Sequence, residues 1–275
     1  MRTRTVVVAG VVGIAAFGVL WELLVHLLDV KPFILLPPSR IIEELAERPG
    51  FYADAAVVTA RHAGAGVMLA VVLAVLVGAV LAASRLLEHA VQPVLVLVLV
   101  APWVAYFTSI RVWLGAGDPP VIFLATLVSV PAFVFATVAG LRSADPAARE
   151  LLASVDASRL EVLWRLRLPS ALPAILATAR YGAALALAAA YYGEGGNSST
   201  EGLGSAGRRA ANGQNGPVLW STVLVTALLG VAFLTVIAVI ERVALRWHVS
   251  QRLGAPPSRT EADHLHVDDT GLSAR

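Results

Sequence analysis

Residues 145–175 read DPAARELLASVDASRLEVLWRLRLPSALPAI, a charged stretch set between long apolar runs, and its reading decides how the chain is organised. Asp145 before Pro146 makes an N-cap with proline at the first helical position, where its missing N–H is no loss. A first short helix is expected from Pro146 to about Val155, broken at Asp156. A second is expected over Ala157–Leu166, with Pro169 starting the entry into the next apolar run. Two short helices at an angle, standing out of an apolar body, form a knob. Such a knob can pass force to another protein if it is rigid and fits a groove.

Outward from this insert the chain is built for lipid. A helix needs roughly 20 mainly apolar residues to cross a bilayer. Six stretches qualify: about Thr5–Leu28, Ala55–Ala83, Val91–Leu114 with Pro93 and Pro102, Val121–Leu141 with Pro131, Ala171–Tyr192, and Val218–Leu245. The expected fold class is an all-α integral membrane protein with about six transmembrane helices and a helical insert between the fourth and fifth. The division expected is a first transmembrane helix over 1–30, an outer interfacial segment over 31–54, and a transmembrane core over 55–249. Within the core lie the insert at 142–169 and a Gly-rich outer loop at 193–217; residues 250–275, with Pro256-Pro257 and scattered charge, read as a disordered tail. Arg2 and Arg4 before an apolar run suggest a secretory signal, but the run exceeds the roughly 7–15 residues of a signal and no A-x-A site follows it, so a retained helix is expected.

Composition agrees. The 275 residues are 57% hydrophobic and only 15% charged, where a soluble domain carries about 25% charged residues. Mean hydropathy is +0.75. The absence of cysteine excludes disulfides and Cys-ligated metals. A net charge of +2 gives no sign of a nucleic-acid partner. With the N-terminus inside, thirteen arginines fall in inner segments, against seven basic residues in outer ones, Lys31 and Arg111 among them. That bias places both termini in the cytoplasm.

Two further connections are informative. Ser39 after Pro37-Pro38 reads as the N-cap of a short helix with Glu43 and Glu44 in its first turn; Ile41, Ile42 and Leu45 would lay it on the outer membrane surface. Glu22 and His26, one turn apart in the first span, are placed to pair.

The insert resembles the EAA loop of bacterial ABC importer permeases, E-A-A, three residues, G, nine residues, I, one residue, L-P. Glu150 sits at the acidic position, Leu151 and Leu152 replace the alanines, Asp156 takes the glycine position, Leu166 the isoleucine, and Leu168-Pro169 close the pattern. Asp tolerates the left-handed backbone that glycine permits there. Within those importers the chain is similar to the nitrate/sulfonate/taurine permease family, over about Val19 to Trp247. The segments that carry this are LWELL at 20–24, FILLPPSRII at 33–42, DPAARELLAS and ASR within 145–159, LPSALPAIL at 168–176 and EGLGSAGRRA at 201–210. The family's W-F-G-x-G turn stands here as Trp113-Leu114-Gly115-Ala116-Gly117. The resemblance implies the ABC type I importer permease fold, a homodimer, a cytoplasmic ATPase subunit, an extracytoplasmic solute-binding protein and no cofactor. It also implies an ATPase-coupling segment comprising Asp145, Glu150, Leu151, Leu152, Asp156, Ala157, Ser158, Arg159, Leu166, Leu168 and Pro169.

Ionisable groups at membrane depth are expensive and point to function or to a snorkelling side chain. Arg180 lies about two turns into the fifth span, and Tyr181, Tyr191, Tyr192 and Glu194 follow it. Such importers line their pore with the fifth span, so these residues, with Arg111 at the end of the third, are the expected solute pathway. Arg111 either suits an anionic solute such as a sulfonate, by charge complementarity, or pairs with Asp118. The alanines of the fifth span serve close helix packing.

Gly202-Leu203-Gly204-Ser205-Ala206-Gly207 matches a dinucleotide fingerprint but lies between membrane spans, without the strand that the fingerprint requires. These glycines would instead let an outer loop dip back toward the pore. Asn197-Ser198-Ser199 is a chance-level sequon, and His264 with His266 forms no ligand cluster. No G-x-x-x-x-G-K-[ST] occurs, so any ATP used in transport binds another polypeptide. An ion-coupled carrier is the alternative, and it calls for acids near the midplane, of which the core spans hold almost none. A membrane enzyme would need a catalytic cluster at one depth, and the spans carry none. The solute stays open among nitrate, sulfonates, taurine and a vitamin-precursor pyrimidine.

Overall fold

Gly66, Gly78, Gly140 and Gly182 set the spacing at the centre of the molecule. A Cβ on Gly66 would lie 2.5 Å from that of Ala125, and one on Gly78 2.7 Å from the Thr137 methyl. A Cβ on Gly140 would lie 2.6 Å from Ala171 Cα, and one on Gly182 2.7 Å from the Phe133 ring. Without water inside a bilayer, close packing of small residues replaces the hydrophobic drive between helices. The computed structural model describes residues 3–31, 34–197 and 200–246.

The chain runs α1 (Thr3–Leu27), α2 (Pro38–Glu47), α3 (Pro49–Ala83), α4 (Arg85–Val100), α5 (Trp103–Leu114), α6 (Asp118–Arg142), α7 (Pro146–Ser154), α8 (Arg159–Val162), α9 (Leu168–Gly195), α10 (Leu203–Asn212) and α11 (Gly216–Ala244). Helix α6 is central, clasped by α3 and α9. On α3 the buried residues Ala63, Gly66, Ala70, Ala74 and Gly78 fall three or four apart, the period of one helix face. Phe133 of α6 fills the gap left by Gly182 of α9, inside an apolar core with Val134, Ala183 and Ile237.

The contacts fix direction. Gly66 meets Ala125 and Gly78 meets Thr137, so α3 and α6 run parallel. Gly140 meets Ala171 and Gly193 meets Val121, so α9 runs back. Two parallel spans need a crossing between them, and α4 with α5 supplies it. Five helices are long and apolar enough to span, and the α4–α5 pair, bent by 100°, makes the sixth. The third span was expected over Val91–Leu114 with Pro93 and Pro102 inside it, and it is divided into α4 and α5. Pro102 makes the division: Ala101 before it adopts φ −59, ψ 136, the extended conformation that a following proline enforces.

Other boundaries shift for local reasons. Ser39 is not the N-cap of α2; Pro37 holds that position, and Ser39 lies in the first turn. Its N–H and hydroxyl donate to the two Glu22 oxygens at 3.0 and 2.7 Å, so a carboxylate from α1 meets the positive end of α2. His26 Nδ1 lies 3.8 Å from Glu22 and 2.7 Å from its carbonyl. Ile41 is buried in the bundle rather than set on a membrane surface, whereas Ile42 is exposed. The tail from Ser250, with His264 and His266, lies outside the described residues.

Candidate functional site

The insert leaves the bundle at the end where α6 finishes, and its corner is built from local hydrogen bonds. Asp145 Oδ1 accepts the Ala147 N–H at 3.0 Å, which caps α7 with Pro146 at its first position. At the other end Asp156 stands at φ +52. The Ala157 N–H donates to Leu152 O at 3.0 Å and the Asp156 N–H to Ala153 O at 3.1 Å. That double closure is a Schellman motif with aspartate in the left-handed position usual for glycine. One residue later Ser158 begins α8 with a reciprocal capping box. Its Oγ accepts the Glu161 N–H at 3.3 Å, and the Glu161 carboxylate accepts the Ser158 N–H at 2.9 Å.

Beyond α8 the chain does not stop. The turn Leu163–Arg167 is π-helical and runs straight into α9. The second insert helix was expected to end at Leu166, with Pro169 opening a new element. Instead Leu168 N–H reaches back to Leu163 O, and the widened turn lets Pro169 enter without an N–H and without its ring striking the preceding turn. The insert is therefore continuous in helical backbone with α9.

No side chain of α7 or α8 is buried. Glu150, Leu151 and Arg159 are exposed, Leu152 and Ala157 half-buried, and Leu166, Leu168 and Pro169 half-buried at the root. Leu151, Val155, Leu160 and Trp164, apolar side chains on the projection, are each more than 60% exposed. Sequence reasoning missed Val155, Leu160 and Trp164, because a motif read as acid, breaker and Leu-x-Leu-Pro ignores which apolar residues the corner turns outward.

At the opposite end α10 lies flush on the last turns of α9. A Cβ on Gly204 would lie 1.8 Å from Tyr191 O, and one on Gly202 2.2 Å from the Glu194 carboxylate. Glu194 is fully buried. It accepts hydrogen bonds from Thr59 Oγ1 at 2.8 Å and the Gly204 N–H at 2.9 Å, and its other oxygen lies 2.7 Å from His62 Nδ1. Thr59 in turn accepts the Leu203 N–H at 2.9 Å. The first N–H groups of α10, which have no partner within their own helix, are thus met by α3 and α9. His62 Nε2 lies 3.1 Å from Asp118, which is 4.0 Å from Arg61. Glu194 therefore lies in the wall, not in an open path.

Arg111 was expected either to face a vestibule or to pair with Asp118. Asp118 is engaged by His62 and Arg61, and Arg111 Nη1 instead donates to the Gly196 carbonyl. Beside it two hollows of about 360 and 280 Å³ adjoin, sharing Gly195, Gly196 and Arg208. One is walled by Tyr191, Tyr192 and Phe107, the other by Arg111, Arg208, Arg209 and Asn212 together with the Glu194 carboxylate. Tyr192 packs edge-on against Trp103, with ring centres 5.4 Å apart, and Tyr191 OH is 3.2 Å from Thr222 Oγ1. Arg208 and Arg209, read in the sequence only as part of the segment 201–210, line the same hollow as Arg111 because α10 carries them there. Arg180 and Tyr181 lie elsewhere. Arg180 pairs with Glu241 of α11 at 2.5 Å, and Tyr181 is exposed on the flank of α9. Among the described residues no group of His, Asp and Glu side chains could hold a metal ion.

The model of the family "Binding-protein-dependent transport system inner membrane component" matches residues 66–246. The chain is 28% identical over 238 residues to the formylaminopyrimidine transport permease protein ThiX of Halalkalibacterium halodurans, covering 85% of this chain and 93% of that one. It is 29% identical over 176 residues to the taurine transport system permease protein TauC of Escherichia coli, covering 62% and 64% of the two chains. An inward-facing crystal structure of the MetNI methionine ABC transporter superposes with a TM-score of 0.62 at 17% identity, over 70% of this chain and 96% of that one.

Proposed function

This chain belongs to the family of inner-membrane components of binding-protein-dependent transport systems, and from that premise we propose that it forms the solute pathway of an ABC importer and couples it to a separate cytoplasmic ATPase through the insert 142–169. The observation that carries this reading is the corner itself. A Schellman closure at Asp156 and a capping box at Ser158 fix a corner on which Leu151, Val155, Leu160 and Trp164 stand exposed, with nothing among the described residues to cover them. Apolar side chains held outward on a capped projection suit a protein contact.

In this reading the insert end faces the cytoplasm, as do both termini, and α10 faces the extracytoplasmic side where a binding protein delivers solute. Two copies pair around one pathway. Closure of the ATPases moves α7 and α8, and the π-turn passes that motion to α9 without a hinge. Coupling falls to Asp145, Glu150, Leu151, Leu152, Asp156, Ala157, Ser158, Arg159, Leu166, Leu168 and Pro169, and to Val155, Leu160 and Trp164 with them. The solute is small, and the three arginines near α10 favour an anion.

The test is ATP-driven uptake in proteoliposomes holding permease, ATPase and binding protein. Leu151→Asp with Leu160→Asp should leave insertion and melting unchanged and abolish uptake. Uptake equal to that of the unaltered chain would overturn the coupling role. Uptake that collapses with an ionophore while ATP is maintained would favour an ion-coupled carrier.

A further inference from the structure

We propose that Arg142 is a positioning residue that straps the start of α4 to the root of the insert, so that α4 moves when the insert moves. The inference rests on the coupling reading and goes further, because it names a second route out of the insert and the two side chains that carry it.

One guanidinium gathers three helix ends. Arg142 is the last residue of α6. Its Nη1 lies 2.5 Å from the carboxylate of Glu88, in the first turn of α4. Its Nη2 donates to Leu81 O, in the last turn of α3, at 3.4 Å. Each charge suits its place: a carboxylate meets the positive start of α4, and a cation meets the carbonyl ends of α3 and α6. The planar fork of arginine can hold both partners at once. Asp145, which caps α7, follows almost directly, and between them Ser143 Oγ closes onto Gly140 O at 2.9 Å.

Little else holds α4 at this end. Its one buried residue is Leu95. Among the described residues the Glu88–Arg142 pair is the one polar side-chain contact between α4 and another helix; the bonds of Ser84 and His89 stay within α4 and its cap. Beside the pair an open hollow of about 240 Å³ parts the two helices, with Gln92 and Leu95 on one side and Val134, Phe135 and Val138 on the other. Close packing ordinarily fixes one helix on another. Here it is interrupted, and the ion pair sets where α4 stands. The insert thus has two roots. One is the helical continuity with α9, and the other is the end of α6, bolted to α4. The first carries a stroke into the fifth span, and the strap carries it into the third. The two side chains are 36% and 25% exposed, and a pair so open to solvent adds little to stability, so positioning and folding can be told apart.

The test is uptake per ATP hydrolysed in proteoliposomes holding permease, ATPase and binding protein. Arg142→Met and Glu88→Gln should each lower that ratio by at least about fivefold, the small end of a coupling between distant sites, with the melting temperature unchanged. Arg142→Lys, which keeps a charge beside Glu88, should keep most of the ratio. Glu88→Cys with Arg142→Cys, in a chain that has no other cysteine, should lose it as well. Joining the two thiols with a short, reducible bis-methanethiosulfonate should restore uptake, and reductant should remove it again. An unchanged ratio in Arg142→Met overturns the proposal. So does a crosslinked chain that hydrolyses ATP without uptake, since the pair then opens in each cycle. Losses of uptake that follow losses of melting temperature across the variants overturn it in favour of a purely structural pair. No ATP-driven uptake by the unaltered chain counts against the coupling reading, whereas a coupled parent with indifferent Arg142 variants counts against the strap alone.

Discussion

Glu194 Oε1 lies 2.7 Å from His62 Nδ1, at the point where α9, α3 and the start of α10 converge. The other imidazole nitrogen faces Asp118 at 3.1 Å, so both ring nitrogens face carboxylate oxygens. Breaking one member of a buried pair leaves the other unpaired, at a cost of about 3–5 kcal/mol. Glu194→Ala should therefore lower the melting temperature of the detergent-purified chain sharply. Glu194→Ala with His62→Leu should recover part of the loss. Strictly additive losses in that double-mutant cycle would show that the pair is not coupled.

Helix α10 depends on having no side chain at Gly204. Gly204→Ala should destabilise by about 1–3 kcal/mol or more, since its Cβ meets backbone rather than a movable side-chain tip. Gly64→Ala, whose Cβ would have its nearest neighbour 4.0 Å away, should melt as the parent does. Thermal unfolding of the two variants side by side decides this, and equal melting would remove the argument for close approach.

Asp156 holds a left-handed backbone at φ +52. Asp156→Gly should be tolerated, whereas Asp156→Val should cost about 1–2 kcal/mol at that residue and slow ATP-driven uptake by turning the corner out of shape. Ser158→Ala, which removes the cap of α8, should cost about 1 kcal/mol. Uptake rates that do not distinguish the glycine from the valine variant would show that the corner's geometry is irrelevant.

Arg180 and Glu241 pair at 2.5 Å between α9 and α11. Arg180→Leu strands a carboxylate beside the apolar span, an expensive placement, and should lower yield and stability. The exchange Arg180→Glu with Glu241→Arg should restore both and restore uptake. If the exchange restores stability but not uptake, Arg180 acts on the solute after all.

These residues show why some of the molecule was legible in the sequence. Caps are local, so Asp145 before Pro146 and the break at Asp156 could be read from neighbours alone. Spans are legible because a bilayer demands long apolar runs. Pro102 was visible inside the third span, but the 100° bend depends on how α4 and α5 pack on α6. Ser39 looked like an N-cap because nothing nearby competes; the competitor is Glu22, 17 residues away on another helix. The contact between Glu194 and His62 spans 132 residues, and no local pattern announces it. The glycines of residues 202–207 were read as freedom for a loop to dip. They serve instead as clearance for α10 against α9, a requirement visible only once both helices are in place.

The most direct measurement concerns the insert. The chain has no cysteine, so Ala153→Cys, at an exposed position of α7 whose side chain makes no hydrogen bond, gives a single thiol. Co-expressed ATPase subunits carrying single cysteines in their membrane-facing groove provide the partner. The coupling account predicts a crosslink from this introduced thiol whose yield changes when ATP is added. No crosslink to any groove position, in a chain that is inserted and melts normally, would contradict it.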